Sequence, residues 1–100
     1  MKRIMLVCSA GMSTSLLVTK MQAAASEQNI EVEIFAVAQD DVKNQKNIDI
    51  VLLGPQVRFL LNKMKEKMNP KGIHVAVIDS INYGTMNGKA VLENALKLSD

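Results

Sequence analysis

An α/β domain on an open parallel sheet is the fold this sequence predicts. Short apolar runs alternate with stretches of helical spacing, turn residues separate the two kinds, and two of the apolar runs are nearly continuous. Strands that alternate with helices imply right-handed crossovers and a parallel sheet. Continuous apolar runs mark strands covered on both faces.

The first such run, Ile4-Met5-Leu6-Val7, reads as a central strand. A helix follows, in which Leu17, Met21, Ala24 and Gln28 repeat at four-three-four spacing, and Asn29 can close it in the left-handed conformation. Glu31 to Val37 mixes charged with β-branched residues and reads as an edge strand, partly wet on one side. Ala38 to Asn47 leaves room for no more than a short helical turn. Ile48 to Leu53 is the second central strand.

A second helix is expected from about Pro55, acceptable in a first turn, through Leu60, Leu61 and Met64 towards Met68, with Asn69-Pro70-Lys71-Gly72 stopping it. Ile73 to Ile78 is the other edge strand. A third helix begins near Asn87 and presents Val91, Leu92, Ala95 and Leu96 to the core. Central strands one and three give the order 2-1-3-4, a flavodoxin-like sheet of four parallel strands with helices on both faces. Ligands of such sheets bind beyond the carboxyl ends of the strands at the topological switch. Here that places the loops Cys8 to Ser15 and Gly54-Pro55-Gln56 side by side.

One hundred residues suit a single domain, 1–100, and 48% apolar with 22% charged residues is ordinary globular composition. A net charge of +2 with 3% aromatics argues against a nucleic-acid partner, which needs a strong basic field or stacking platforms. One cysteine and one histidine are too few for a closed zinc site or an internal disulfide, so no metal or cofactor is expected and the thiol should stay reduced. The longest uncharged run, Ile4 to Thr19, is broken by Ser9, Gly11, Ser13, Thr14 and Ser15, so neither membrane insertion nor a signal peptide is expected. The seven Met residues at helical spacing read as core filler.

Chemistry concentrates in Cys8-Ser9-Ala10-Gly11-Met12-Ser13-Thr14-Ser15, between a buried strand and a helix start. Gly11 permits a tight turn and close backbone approach, while the helix start offers unpaired N–H groups and about half a positive charge from its dipole. An anion is expected to bind there, and the same field favours thiolate over thiol at Cys8. The alternative is a small buried apolar residue at a strand end. The run of small and hydroxylated residues after Cys8, which gives up packing, argues for function. Such a role requires a sulfur that a donor can reach.

No Lys or Arg lies between Ile4 and Thr19. Low-molecular-weight tyrosine phosphatases share the strand, Cys-loop and helix arrangement, but their Cys-x5-Arg loop ends in an Arg that grips the phosphoryl group, and that position here is Thr14. The loop is better suited to carrying a phosphocysteine for hand-over than to hydrolysis. A stand-alone phosphatase and a regulatory module are the alternatives.

Cys8 to Leu17, then Val51-Leu52-Leu53-Gly54-Pro55-Gln56, then Val77-Ile78-Asp79-Ser80 with Tyr83-Gly84, resemble the IIB component of the lactose/cellobiose (diacetylchitobiose) type of the bacterial phosphoenolpyruvate-dependent sugar phosphotransferase system. The resemblance spans essentially the whole chain. It implies a cytoplasmic phosphotransferase, docked at the membrane's inner face when at work. Cys8 would accept a phosphoryl group from phosphohistidine of IIA and pass it to a disaccharide held by membrane-embedded IIC. Because one sulfur must meet donor and acceptor in turn, the two would share a surface, for which Met12, Leu16 and the loop are candidates. The free chain is expected to be a monomer.

Other polar residues have plainer readings. Gln56 is a candidate phosphoryl or partner contact, set against a cap. Asp79 is expected to cap or turn through Asp79-Ser80, set against the general acid a hydrolase would need, and Tyr83 to rim the site or pack under its loop. His74 is expected to be structural. Arg58, Lys63, Lys65, Lys67 and Lys71, opposed only by Glu66, read as a solvated face, with a docking patch for an acidic partner or the membrane surface as the alternative.

Overall fold

A computed structural model of the chain describes residues 1–9 and 12–99, without the side chains of Met12 and Ser13. Its strands are β1 (Lys2–Cys8), β2 (Val32–Ala38), β3 (Ile50–Leu53) and β4 (His74–Val77), and its α-helices are α1 (Met12–Glu27), α2 (Leu61–Met68), α3 (Ser80–Gly84) and α4 (Gly88–Leu98). The strands pair in parallel in the order β2-β1-β3-β4, as the hydrophobic patterning predicts. In the central strands, Ile4 to Cys8 and Ile50 to Leu53 are buried throughout. Each edge strand has one buried position, Ile34 in β2 and Val75 in β4, and is otherwise partly or fully exposed.

Alternation along β1 divides the core. Ile4 and Leu6 point into one cluster with Leu17, Met21, Val91, Leu92 and Ala95 of α1 and α4. Met5 and Val7 point to the opposite face, towards Val57, Leu60 and Met64. Each large side chain so buried stabilises the fold by about 1.5–3 kcal/mol. Gly88 lets α4 cross α1 closely, because a Cβ there would sit 2.5 Å from the Lys20 carbonyl carbon and 2.6 Å from the Met21 nitrogen.

Local signals hold where the sequence carries them. Asn29 closes α1 at φ 55°, Gly72 ends the second helical stretch at φ 80°, and Asn87 caps α4 by accepting from the Ala90 N–H at 3.1 Å. The short turn between β2 and β3 is a 3₁₀ helix, Gln39–Asn44.

One expectation needs correction, and one element goes beyond the sequence reading. The stretch from Pro55 starts as a 3₁₀ helix, Pro55–Leu60, and becomes α-helical only at Leu61; Val57 leaves helical geometry at φ −117°, ψ 23°, with its side chain 1% exposed in the core. Burial of this β-branched residue prevails over a regular α-helical start. Residues 80–84 form the short helix α3, which apolar periodicity does not announce because none of its residues is buried.

Candidate functional site

Cys8 is the last residue of β1, in register with Ala38 of β2, and α1 starts at Met12. A 16-residue helix therefore points its amino end back at the carboxyl end of a buried strand, an arrangement whose dipole favours negative charge in the turn between them. Ser9 and Ser15 are exposed at the flanks of this turn. Ala10, Gly11 and the side chains of Met12 and Ser13, all singled out by the sequence, lie outside the described residues.

Thr14 is wholly buried, and its Oγ1 lies 3.3 Å from Cys8 Sγ in a hydrogen bond that either atom can donate. Thr14 stands where a Cys-x5-Arg loop would carry its Arg. Here it brings a neutral hydroxyl to the sulfur. Cys8 itself is 1% exposed, a departure from the accessible thiol that the small-residue loop suggests. Its position explains the burial: as a strand residue alternating with Ile4 and Leu6, it faces the layer in which α1 packs.

The second loop lies beside the first, as the strand order requires. The Gly54 N–H donates to the Val7 carbonyl at 2.9 Å, extending the β1–β3 pairing to the edge of the Cys8 turn. A Cβ at Gly54 would be 3.8 Å from Cys8 Cβ and 2.9 Å from Gln56 Oε1. The bare backbone of Gly54 therefore leaves space over which Gln56 folds. Gln56 is exposed and makes no cap; its Nε2 donates to Tyr83 Oη at 3.1 Å, tying the loop after β3 to α3. This bridge, which sequence spacing does not reveal, replaces the expected cap. Tyr83 packs its ring against the α1 and α4 side of the core while its hydroxyl reaches the loop after β3.

Asp79 caps α3, its Oδ1 accepting from the Ile81 N–H at 2.8 Å and the Asn82 N–H at 3.2 Å. His74 is exposed at the start of β4, opposite Ile50, which in turn pairs with Ile4. It is thus at the far end of the sheet, roughly 13 Å of strand from the level of Cys8. Leu16, Phe59 and Ile81 are 52%, 71% and 74% exposed. Each lies in the segment that follows β1, β3 or β4.

A family model described as "PTS system, Lactose/Cellobiose specific IIB subunit" matches residues 3–94. The chain is 48% identical over 99 residues to the oligo-beta-mannoside-specific EIIB component of Bacillus subtilis (strain 168), covering 98% of this chain and 96% of that one. It is 44% identical over 103 residues to the galactose-specific EIIB component of Lactococcus lactis subsp. cremoris (strain MG1363), covering 97% and 95%. Its fold matches the solution structure of the cellobiose-specific phosphotransferase IIB component from Borrelia burgdorferi with a TM-score of 0.78 at 43% identity, covering 97% and 90%.

Proposed function

The chain belongs to the lactose/cellobiose-specific IIB family of the sugar phosphotransferase system, and from that membership we propose that Cys8 is the residue on which it carries the phosphoryl group. The observation that supports this reading most is the place of the lone cysteine. It ends a central strand, faces the amino end of α1 and has a buried hydroxyl at 3.3 Å.

In the first step Cys8 Sγ, buried in the free chain and uncovered as IIA docks, attacks as thiolate the phosphorus of a phosphohistidine on IIA. The S–P bond forms, the P–N bond breaks, and the electron pair returns to the imidazole. In the second step a sugar hydroxyl held by IIC attacks phosphorus. The O–P bond forms, the S–P bond breaks to regenerate the thiolate, and the hydroxyl proton leaves to a base. Two easier transfers replace one difficult transfer. Backbone N–H groups at the start of α1 and the Thr14 hydroxyl are suited to the charge on the equatorial oxygens, since the loop holds no cation of its own. Ser9, Ala10, Gly11, Met12, Ser13 and Ser15 complete the proposed cradle, with Gly54, Pro55 and Gln56 beside it.

The acceptor is a disaccharide of the cellobiose, diacetylchitobiose or lactose type, and the relatives' names, for oligo-beta-mannoside and galactose, mark how widely the sugar varies. Leu16, Phe59 and Ile81 fit the surface that IIA and IIC use in turn, with the chain peripheral to the membrane's inner face when docked. Among the described residues no helix is long and apolar enough to cross a membrane.

The test is reconstitution with phosphoenolpyruvate, the upstream relay proteins, matched IIA and IIC, and a panel of β-linked disaccharides. Wild type should gain one phosphoryl mass and lose it to one sugar of the panel, while Cys8→Ser and Cys8→Ala should do neither. Sugar phosphorylation by Cys8→Ala would refute the assignment.

A further inference from the structure

Away from Cys8, a groove of about 700 Å³ runs between the 39–49 connection and the second helical stretch. It exists because the crossover from β2 to β3 contains only a six-residue 3₁₀ turn, where a parallel crossover usually lays a longer helix across the sheet. Met5 lies beneath it, on the face of the sheet opposite the one Cys8 takes by alternation.

One bank carries Lys43 and Lys46, and the other carries Lys63, Lys67 and Lys71. All of these lysines are exposed. Asp40 is the only acidic residue among the described lining. On the second bank the lysines recur every fourth residue, which spaces them by about one helical turn each and spreads charge along the groove for roughly 12 Å. Leu60, Met64 and Met68 follow the same spacing along the floor, and thioether side chains adapt readily to an apolar partner. Length, apolar floor and cationic banks together match an elongated occupant with an apolar stripe and acidic flanks more closely than a compact ligand.

We propose that this groove docks an acidic amphipathic helix of a partner protein, laid in the space left by the short crossover. Docking there leaves the carboxyl edge of the sheet, with Cys8 and the exposed Leu16 and Ile81, uncovered. The proposal rests on the groove alone and holds whether or not Cys8 carries phosphate.

The probe is a synthetic helical peptide with a Leu/Met stripe flanked by Glu at every fourth position. Controls are a scrambled peptide of equal charge, a Lys-flanked version, and vesicles of phosphatidylglycerol. Titrated into the isotope-labelled full chain, the Glu-flanked peptide should shift amides of residues 39–48 and 60–73 and leave Cys8 and Ser9 unmoved. Its affinity should fall with salt. Lys63→Glu with Lys67→Glu should weaken it at least tenfold while preserving the remaining amide spectrum, and the Lys-flanked peptide should bind that variant better than wild type. The proposal is overturned if the scrambled peptide binds equally, if shifts fall outside the groove, or if the vesicles engage these lysines and the helical peptide does not.

Discussion

The Thr14 hydroxyl meets the Cys8 sulfur at 3.3 Å inside the protein, where Thr14 has no solvent exposure and Cys8 has 1%. A buried hydroxyl that keeps a partner contributes about 1 kcal/mol net. Its larger consequence is chemical, because a hydroxyl at this place is able to donate to the sulfur whenever the sulfur is a thiolate.

Replacing Thr14 with Val retains shape and removes the hydroxyl. Stability to denaturant should change by no more than about 1–2 kcal/mol. If the hydroxyl stabilises the transferring group, phosphoryl acceptance from IIA should slow roughly ten- to a hundredfold, the range for one lost hydrogen bond to a charged group. Rapid-quench measurement of phosphorylated chain checks this, with urea denaturation as the control. An unchanged rate would assign Thr14 to packing alone.

Burial of Cys8 makes its own prediction. In the folded chain the thiol should react with a bulky aromatic disulfide reagent at least roughly tenfold slower than in denaturant, because labelling waits on local opening. Equal rates would mean that the sulfur is open in solution.

Gly54 and Gly88 should respond differently to Ala. At Gly54 the backbone, φ −62° and ψ 151°, accepts any residue, and the tightest neighbour is the far end of the exposed Gln56 side chain at 2.9 Å. Gly54→Ala should displace Gln56 and break its bond to Tyr83 at a cost under about 1 kcal/mol. At Gly88 the new methyl meets the backbone of Lys20 and Met21 at 2.5–2.6 Å. Helices α1 and α4 must then move apart, so Gly88→Ala should cost about 1–3 kcal/mol or more. Thermal unfolding of both variants checks the order.

At the far end of the sheet Arg3 bonds Glu33 at 2.6 Å and stacks 4.9 Å above Phe35, with the paired side chains 30% and 50% exposed. Arg3→Ala should cost no more than about 1–2 kcal/mol, because exposed ion pairs and cation–π contacts are each weak. It should leave phosphoryl acceptance unaltered, as measured by the same quench assay.

The sheet was legible because its signals are local. Continuous runs such as Ile4 to Val7 mark central strands, mixed runs mark edges, and strand order then places the Cys8 and Gly54 loops together. Asn29 acts through its own backbone and Asn87 through its side chain on an N–H three residues on, so both were equally legible. What stayed hidden depends on tertiary neighbours. Val57 bends the start of the second helical stretch to reach the core, Gly88 matters only because α1 passes over it, and Gln56 finds Tyr83 across a gap of 27 residues. Burial of Cys8 belongs with these, since the letters of the loop suggest an open turn while the alternation of β1 directs the side chain inward.

Phosphopeptide mapping tests the central claim most directly. After phosphorylation by the upstream relay and IIA, cleavage after Lys and Arg yields residues 4–20 with the only cysteine and residues 72–89 with the only histidine. The account predicts the phosphoryl group on residues 4–20, at Cys8, in stoichiometric amount, and its disappearance when IIC and sugar are supplied. A phosphoryl group on residues 72–89, at His74, or a chain that takes up none in the presence of competent IIA, would contradict it.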